Sequence, residues 1–103
     1  MRVQIGRKAA PVQIQIGPIA YEVVEVAELA GAGPSSLCGD IDTMRCHIRI
    51  NADMAAPTKR VTLWHEVLHG ILFAAGLSDH DEQLVDALAH GIVQVLRDNP
   101  ELR

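Results

Sequence analysis

The hydrophobic period of the chain changes once, and that change sets the fold class. From Val3 to about Ile50 apolar residues alternate with polar ones, as in Val12-Gln13-Ile14-Gln15-Ile16, Tyr21-Glu22-Val23-Val24-Glu25-Val26 and Cys46-His47-Ile48-Arg49-Ile50. A period of two, rich in β-branched residues, is the pattern of half-buried strands. Gly17-Pro18 and Gly31-Ala32-Gly33-Pro34-Ser35-Ser36 supply turns, and a break near Gly39-Asp40 precedes a strand running to Ile50. After Pro57 the period lengthens: Val61, Trp64, Val67, Leu68, Ile71, Leu72 and Ala75 fall on one broad face at about 100° per residue. Pro57 suits the start of that helix and Gly76 its end. Ser78-Asp79 reads as the cap of a second helix, with Asp81 and Glu82 in its acidic first turn. That helix buries Leu84, Val85, Leu88, Ile92 and Leu96 and stops before Asn99-Pro100. The expected class is α+β, a short, mostly antiparallel sheet followed by two helices packed against it. One domain over residues 1–103 is expected, strand-rich over 1–50 and helical over 57–98.

Composition excludes several functions. Nine Lys and Arg against thirteen Asp and Glu leave a net charge of −4, without the basic footprint of a phosphate-backbone binder. Aromatic residues are 3% of the chain, too few for a platform that stacks single-stranded bases. No run approaches the ~20 apolar residues of a membrane span. The charged opening Met1 to Lys8 lacks the apolar core of a signal peptide, so a cytoplasmic address is expected. Cys38 and Cys46 make no C-x-x-C pair and are expected to be reduced. Neither a nucleic-acid nor a membrane partner is therefore expected.

Chemistry is concentrated in Thr62-Leu63-Trp64-His65-Glu66-Val67-Leu68-His69-Gly70, which contains H-E-x-x-H. Residues four apart lie one turn apart on the same side of a helix, so both imidazoles reach one ion. Glu66 lies one step round, beside the ion rather than at it, where a general base is needed. On the helical wheel these residues, with Thr62, border the apolar arc. Random placement of the chain's five histidines and its glutamates would give this pattern in roughly 1% of cases, so the signal is strong.

A catalytic zinc takes three protein ligands and keeps one open position. The foremost candidate for the third is Glu82, on the border of the second helix's apolar face. His80, Asp86, His90, Cys38 and Cys46 are the others. Asp86, one turn beyond Glu82, is the best-placed acceptor for the non-ligating N–H of an imidazole. His80 and Tyr21 are the candidates for the donor that stabilises an oxyanion, with His80 the expected catalytic partner of Glu66. His47 is expected on the outer face of its strand, which is a candidate groove edge for a peptide substrate.

The run Thr-Leu-Trp-His-Glu-Val-Leu-His, following a strand that ends Ile48-Arg49-Ile50, resembles the gluzincin-type H-E-x-x-H zinc peptidases. It is most similar to very small prophage-associated members and to the catalytic core of ImmA/IrrE-type metallopeptidases. In those proteins a second helix donates a glutamate, often within E-x-x-A-[ND]-x-[FL]-A. Glu82-Gln83-Leu84-Val85-Asp86-Ala87-Leu88-Ala89 matches that pattern at Glu82, Asp86, Leu88 and Ala89. The resemblance spans roughly residues 39–97 and implies a minimal zincin-like fold. It assigns His65, His69 and Glu82 as Zn2+ ligands and Glu66 as the base. No metzincin-type third histidine follows, since Ala75 stands six residues after His69. The chain also lacks the additional elements that ImmA/IrrE-type proteins use for a substrate groove or for DNA.

The expected function is zinc-dependent hydrolysis of a peptide or protein substrate. The alternative is a zinc-stapled binding or regulatory module, such as a phage or mobile-element accessory protein, with little or no catalysis.

Overall fold

The computed structural model describes residues 12–29 and 38–102. The expectations for Met1 to Lys8 and for the Gly31–Ser36 turn lie outside these residues. Two strands, β1 (Val12–Ile16) and β2 (Ile19–Val26), form an antiparallel hairpin whose register pairs Ile16 with Ile19 across Gly17-Pro18. β3 (Gly39–Asp42) and β4 (His47–Asn51) follow, then α1 (Ala56–Ala74), α2 (Glu82–Asp98) and a short 3-10 turn over Pro100–Leu102. The sheet order is β1-β2-β4-β3, with β4 antiparallel to β3 and parallel to β2. The architecture is thus the expected α+β, with a mixed, mostly antiparallel sheet and two packed helices.

One expected strand proves to be two. Between Asp42 and His47 the chain reverses: the Met44 and Arg45 amides donate to Asp42 Oδ1, and Cys46 takes a positive φ of 58°. The carboxylate satisfies the turn's N–H groups, the local competition that Asp offers a strand. The reversal makes β3 the edge strand and puts β4 in the interior, so the edge beside the helices is β3 and not the strand carrying His47.

Alternation then builds the core. Ile16, Tyr21, Val23, Ile48 and Ile50 point to one side of the sheet and pack with Leu63 and Val67 of α1. The face that α1 turns inward differs from the one its apolar residues suggest. Lys59, Thr62, Leu63, Glu66, Val67, His69 and Gly70 are buried, while Trp64 and Leu68 are half-buried and Ile71 is exposed. The helix carries apolar residues nearly all round, so its pattern only weakly selects a face, and backbone proximity decides instead. A Cβ on Gly70 would stand 2.9 Å from Ile16 Cδ1 and 3.1 Å from Ile41 Cδ1. Lys59, buried among these residues, is neutralised by Glu25 at 2.7 Å.

α2 lies against α1 on the side away from most of the sheet. Its N-cap is Asp81, which accepts from the Leu84 amide, so the cap falls two residues after the expected Asp79. Val85 and Ala89 are its buried residues; the expected core positions Ile92 and Leu96 are half-buried, and Leu84 and Leu88 are exposed. No helix among the described residues is long and apolar enough to cross a membrane.

Candidate metal centre

The two histidines come from the third and fourth turns of α1, and the carboxylate from the first residue of α2. The link between them is short because α1 ends in a tight C-terminal motif. Gly76 adopts φ +85°, its amide donates to Phe73 O at 3.0 Å, and the Leu77 amide reaches back to Leu72 O at 2.9 Å. This pairing of the last carbonyls needs a left-handed residue after the cap, which glycine adopts without a Cβ clash. The chain is thereby turned so that α2 begins beside the site.

His65 Nε2, His69 Nε2 and Glu82 Oε1 form a nearly equilateral triangle, 3.1 Å on every side. Together these three residues can hold a metal ion. Zinc ligands at ~2.0–2.1 Å in tetrahedral geometry stand about 3.3 Å apart, so the triangle fits zinc within about 0.2 Å. Two imidazoles and one carboxylate are also a donor set that zinc prefers. His65 Nδ1 lies 3.3 Å from Asp86 Oδ1, the acceptor position expected for Asp86. On the far edge of His69, Nδ1 faces His80 Nδ1 at 2.7 Å. Burial pushes the His69 pKa down against the opposing pull of Glu82, which favours the neutral, ligating ring.

Glu66 occupies a different environment. The residue is 7% exposed, and burial pushes its pKa up to about 7; His65 works against the shift, while Asp40 and Glu82 add to it. Glu66 and His65 line two hollows, the second of which is also lined by His69 and Glu82. One, of about 460 Å³, is bordered by Cys38, Pro57, Val61 and Asp86; the other, of about 530 Å³, by Ile41, Phe73, Asp79 and His80. Gly39 of the edge strand borders both. A Cβ there would meet Arg49 O and Thr62 Cγ2 at 2.7 Å, so the glycine lets β3 lie close against α1 in front of Glu66.

The other sequence candidates lie outside the ligand triangle, although Cys38, His80 and His90 border the hollows. His80 borders the second hollow with both ring nitrogens engaged, Nδ1 with His69 and Nε2 with the Leu77 carbonyl. Tyr21 is 2% exposed inside the core, where burial raises its pKa, and it lines neither hollow. His90 turns back to the Asp86 carbonyl, and Cys46 sits in the β3–β4 turn with its thiol toward Thr43 O. Cys38 borders a hollow but is not among the three converging residues. His47, half-buried beside Asp42, lies on the outer face of β4 as expected.

Edge strand β3 and the bond from His69 to His80 were not assigned from sequence. The first had a signal in the short alternation Gly39-Asp40-Ile41-Asp42, the second in the Gly76 stop that brings His80 back to α1. No family model matches the chain, and no curated protein or solved structure does.

Proposed function

We propose that this protein is a zinc-dependent peptidase in which His65, His69 and Glu82 hold the metal and Glu66 is the general base. The observation that carries the reading is Glu66: a buried carboxylate beside the ligand triangle, outside it, and held near neutrality in pKa. A purely structural site has no need of such a group. Zinc at such a site supplies Lewis acidity at neutral pH. Glu66 accepts a proton from the attacking water and returns it to the departing amine. Among the described residues β3 is an edge strand along the hollows, and an extended peptide adding there as a further strand would pass over Glu66. The substrate is therefore a peptide or unfolded protein segment.

A second reading is favoured by one feature. α2 buries only Val85 and Ala89, yet it carries Glu82 to the histidines of α1, so an ion would staple the helices together. In that reading the protein is a binding or regulatory module, such as a mobile-element accessory factor.

Zinc per chain, measured by elemental mass spectrometry, and hydrolysis of a quenched peptide library separate the readings. The peptidase reading expects one zinc in the parent, a large loss of zinc in Glu82→Ala, and retained zinc with at least ~10³-fold slower hydrolysis in Glu66→Gln. A parent that takes up no zinc sinks both readings. Zinc binding with hydrolysis unchanged by Glu66→Gln sinks the peptidase alone.

A further inference from the structure

We propose that His80 is a positioning residue that selects the tautomer of His69 and thereby tunes the metal centre; the inference rests on the metal-site reading above. The argument begins at the end of α1. The turn at Gly76 draws the Leu77 amide back to Leu72 O and leaves the Leu77 carbonyl facing the start of α2. His80 Nε2 meets that carbonyl. A carbonyl oxygen only accepts, so Nε2 carries the hydrogen, and the neutral ring keeps its lone pair at Nδ1.

That lone pair faces His69 Nδ1 at 2.7 Å. The two rings are nearly coplanar, 19° apart, with centroids separated by 5.0 Å. The nitrogen–nitrogen distance and two ring radii account for that separation, so the rings meet edge to edge along an in-plane hydrogen bond. Phe73, with its centroid 4.5 Å from the His80 ring, holds the imidazole in this plane. His69 Nδ1 is then the donor, and His69 Nε2 keeps its lone pair for the point shared with His65 Nε2 and Glu82 Oε1, each 3.1 Å away.

Each link hands an N–H to the next acceptor: His69 to His80, and His80 to the Leu77 carbonyl. The relay ends on the far side of His69 from the ligand triangle, so His80 orients a ligand and is not itself one. His65 gains the same kind of support from a different group, the Asp86 carboxylate at 3.3 Å. The two ligand imidazoles thus have unlike acceptors, one exposed and anionic, the other neutral and built into the α1–α2 connection. Partners of this kind fix ring orientation and raise the basicity of the ligating nitrogen.

Two readouts on the full chain test the proposal. Long-range 1H–15N correlation at pH 8, without metal, should show His69 with its proton on Nδ1 and His80 with its proton on Nε2. In His80→Phe, His69 should shift toward the Nε2–H form. A parent His69 already protonated at Nε2 overturns the proposal, whatever the chain does with metal. Competition titrations with zinc, and with cobalt as a spectroscopic probe, supply the second readout. His80→Phe should bind one metal per chain about 10–100-fold more weakly with cobalt bands at unchanged positions. His80→Asn, whose amide oxygen replaces the Nδ1 acceptor, should recover most of that loss. Parent-like affinity in His80→Phe overturns the proposal, as does a cobalt spectrum showing a changed ligand set. A parent that binds neither metal defeats the metal-site reading instead, a result the tautomer measurement distinguishes.

Discussion

α1 has two interfaces, and they are built differently. Against the sheet it packs Leu63 and Val67 onto Ile16, Tyr21, Val23, Ile48 and Ile50, and adds the buried Lys59–Glu25 pair. On its other side α2 contributes two buried residues, Val85 and Ala89, beside a polar cluster made of His65 and His69 of α1, Glu82 and Asp86 of α2, and His80 of the connection between them. The first interface is hydrophobic burial that operates in any solvent state of the site. The second has fewer fully buried apolar residues, with Ile92 and Leu96 half-buried, and its polar groups gather around the His65–His69–Glu82 triangle. The histidines and Glu66 therefore ride on a helix packed on the sheet, whereas Glu82 rides on a helix packed on α1; in the metal-site reading proposed above, a bound ion would add to the docking of α2.

The largest expected effect attacks the stronger interface. Ile48 is 0% exposed at the centre of the sheet's inner face. Ile48→Ala should cost about 2–5 kcal/mol, a large share of a small domain's stability. Urea unfolding followed by circular dichroism would measure it. A cost under about 1 kcal/mol would mean that the sheet–α1 core is not the stronger interface.

Removing the metal should act on the other interface and spare the first. With zinc at ~100 times its Kd, binding contributes about 2.7 kcal/mol. Chelation should then raise hydrogen-exchange rates in α2 by up to about 100-fold while β2 and β4 change little. Uniform acceleration across both regions would merge the two interfaces into one cooperative unit and erase the comparison.

The two interfaces also differed in legibility. Strand alternation marked the runs that hold Ile16, Val23, Ile48 and Ile50 as half-buried strands, because a period of two leaves a residue only two faces to choose from; which residues share the inner face follows from the register between strands. H-E-x-x-H placed its pair of histidines for the same reason, a helical period acting within a single turn. What the sequence obscured were relations between elements. The inner face of α1 was misjudged because close approach at Gly70 and charge pairing at Lys59 outweighed a diffuse apolar pattern. The β3–β4 turn was missed because Asp42 closes it with a side-chain bond rather than with glycine and proline. The contact of His80 with His69 is not legible in the sequence because it depends on the helix stop at Gly76 and on the Leu77 carbonyl, neither of which leaves a period.

The smallest expected effect tests how much of α2 belongs to its interface at all. Leu84, Leu88 and Val95 follow one another at helical spacing and are 56%, 48% and 40% exposed, on a flank of α2 that α1 leaves open. Gly91 lies between them, and a Cβ there would meet no atom within 4 Å. Were the apolar character of this flank part of the fold, its loss would resemble a core substitution. Exposed at about half of its surface, Leu88 instead gives up little on conversion to a polar residue, and glutamine retains good helix propensity. Leu88→Gln should therefore change stability by no more than about 0.5 kcal/mol and leave zinc uptake unaltered. A loss above about 1 kcal/mol, or a fall in molecular mass by light scattering, would show that this flank is covered in solution. The weak interface of α2 would then be only part of what holds it, and the contrast between the two sides of α1 would have to be redrawn.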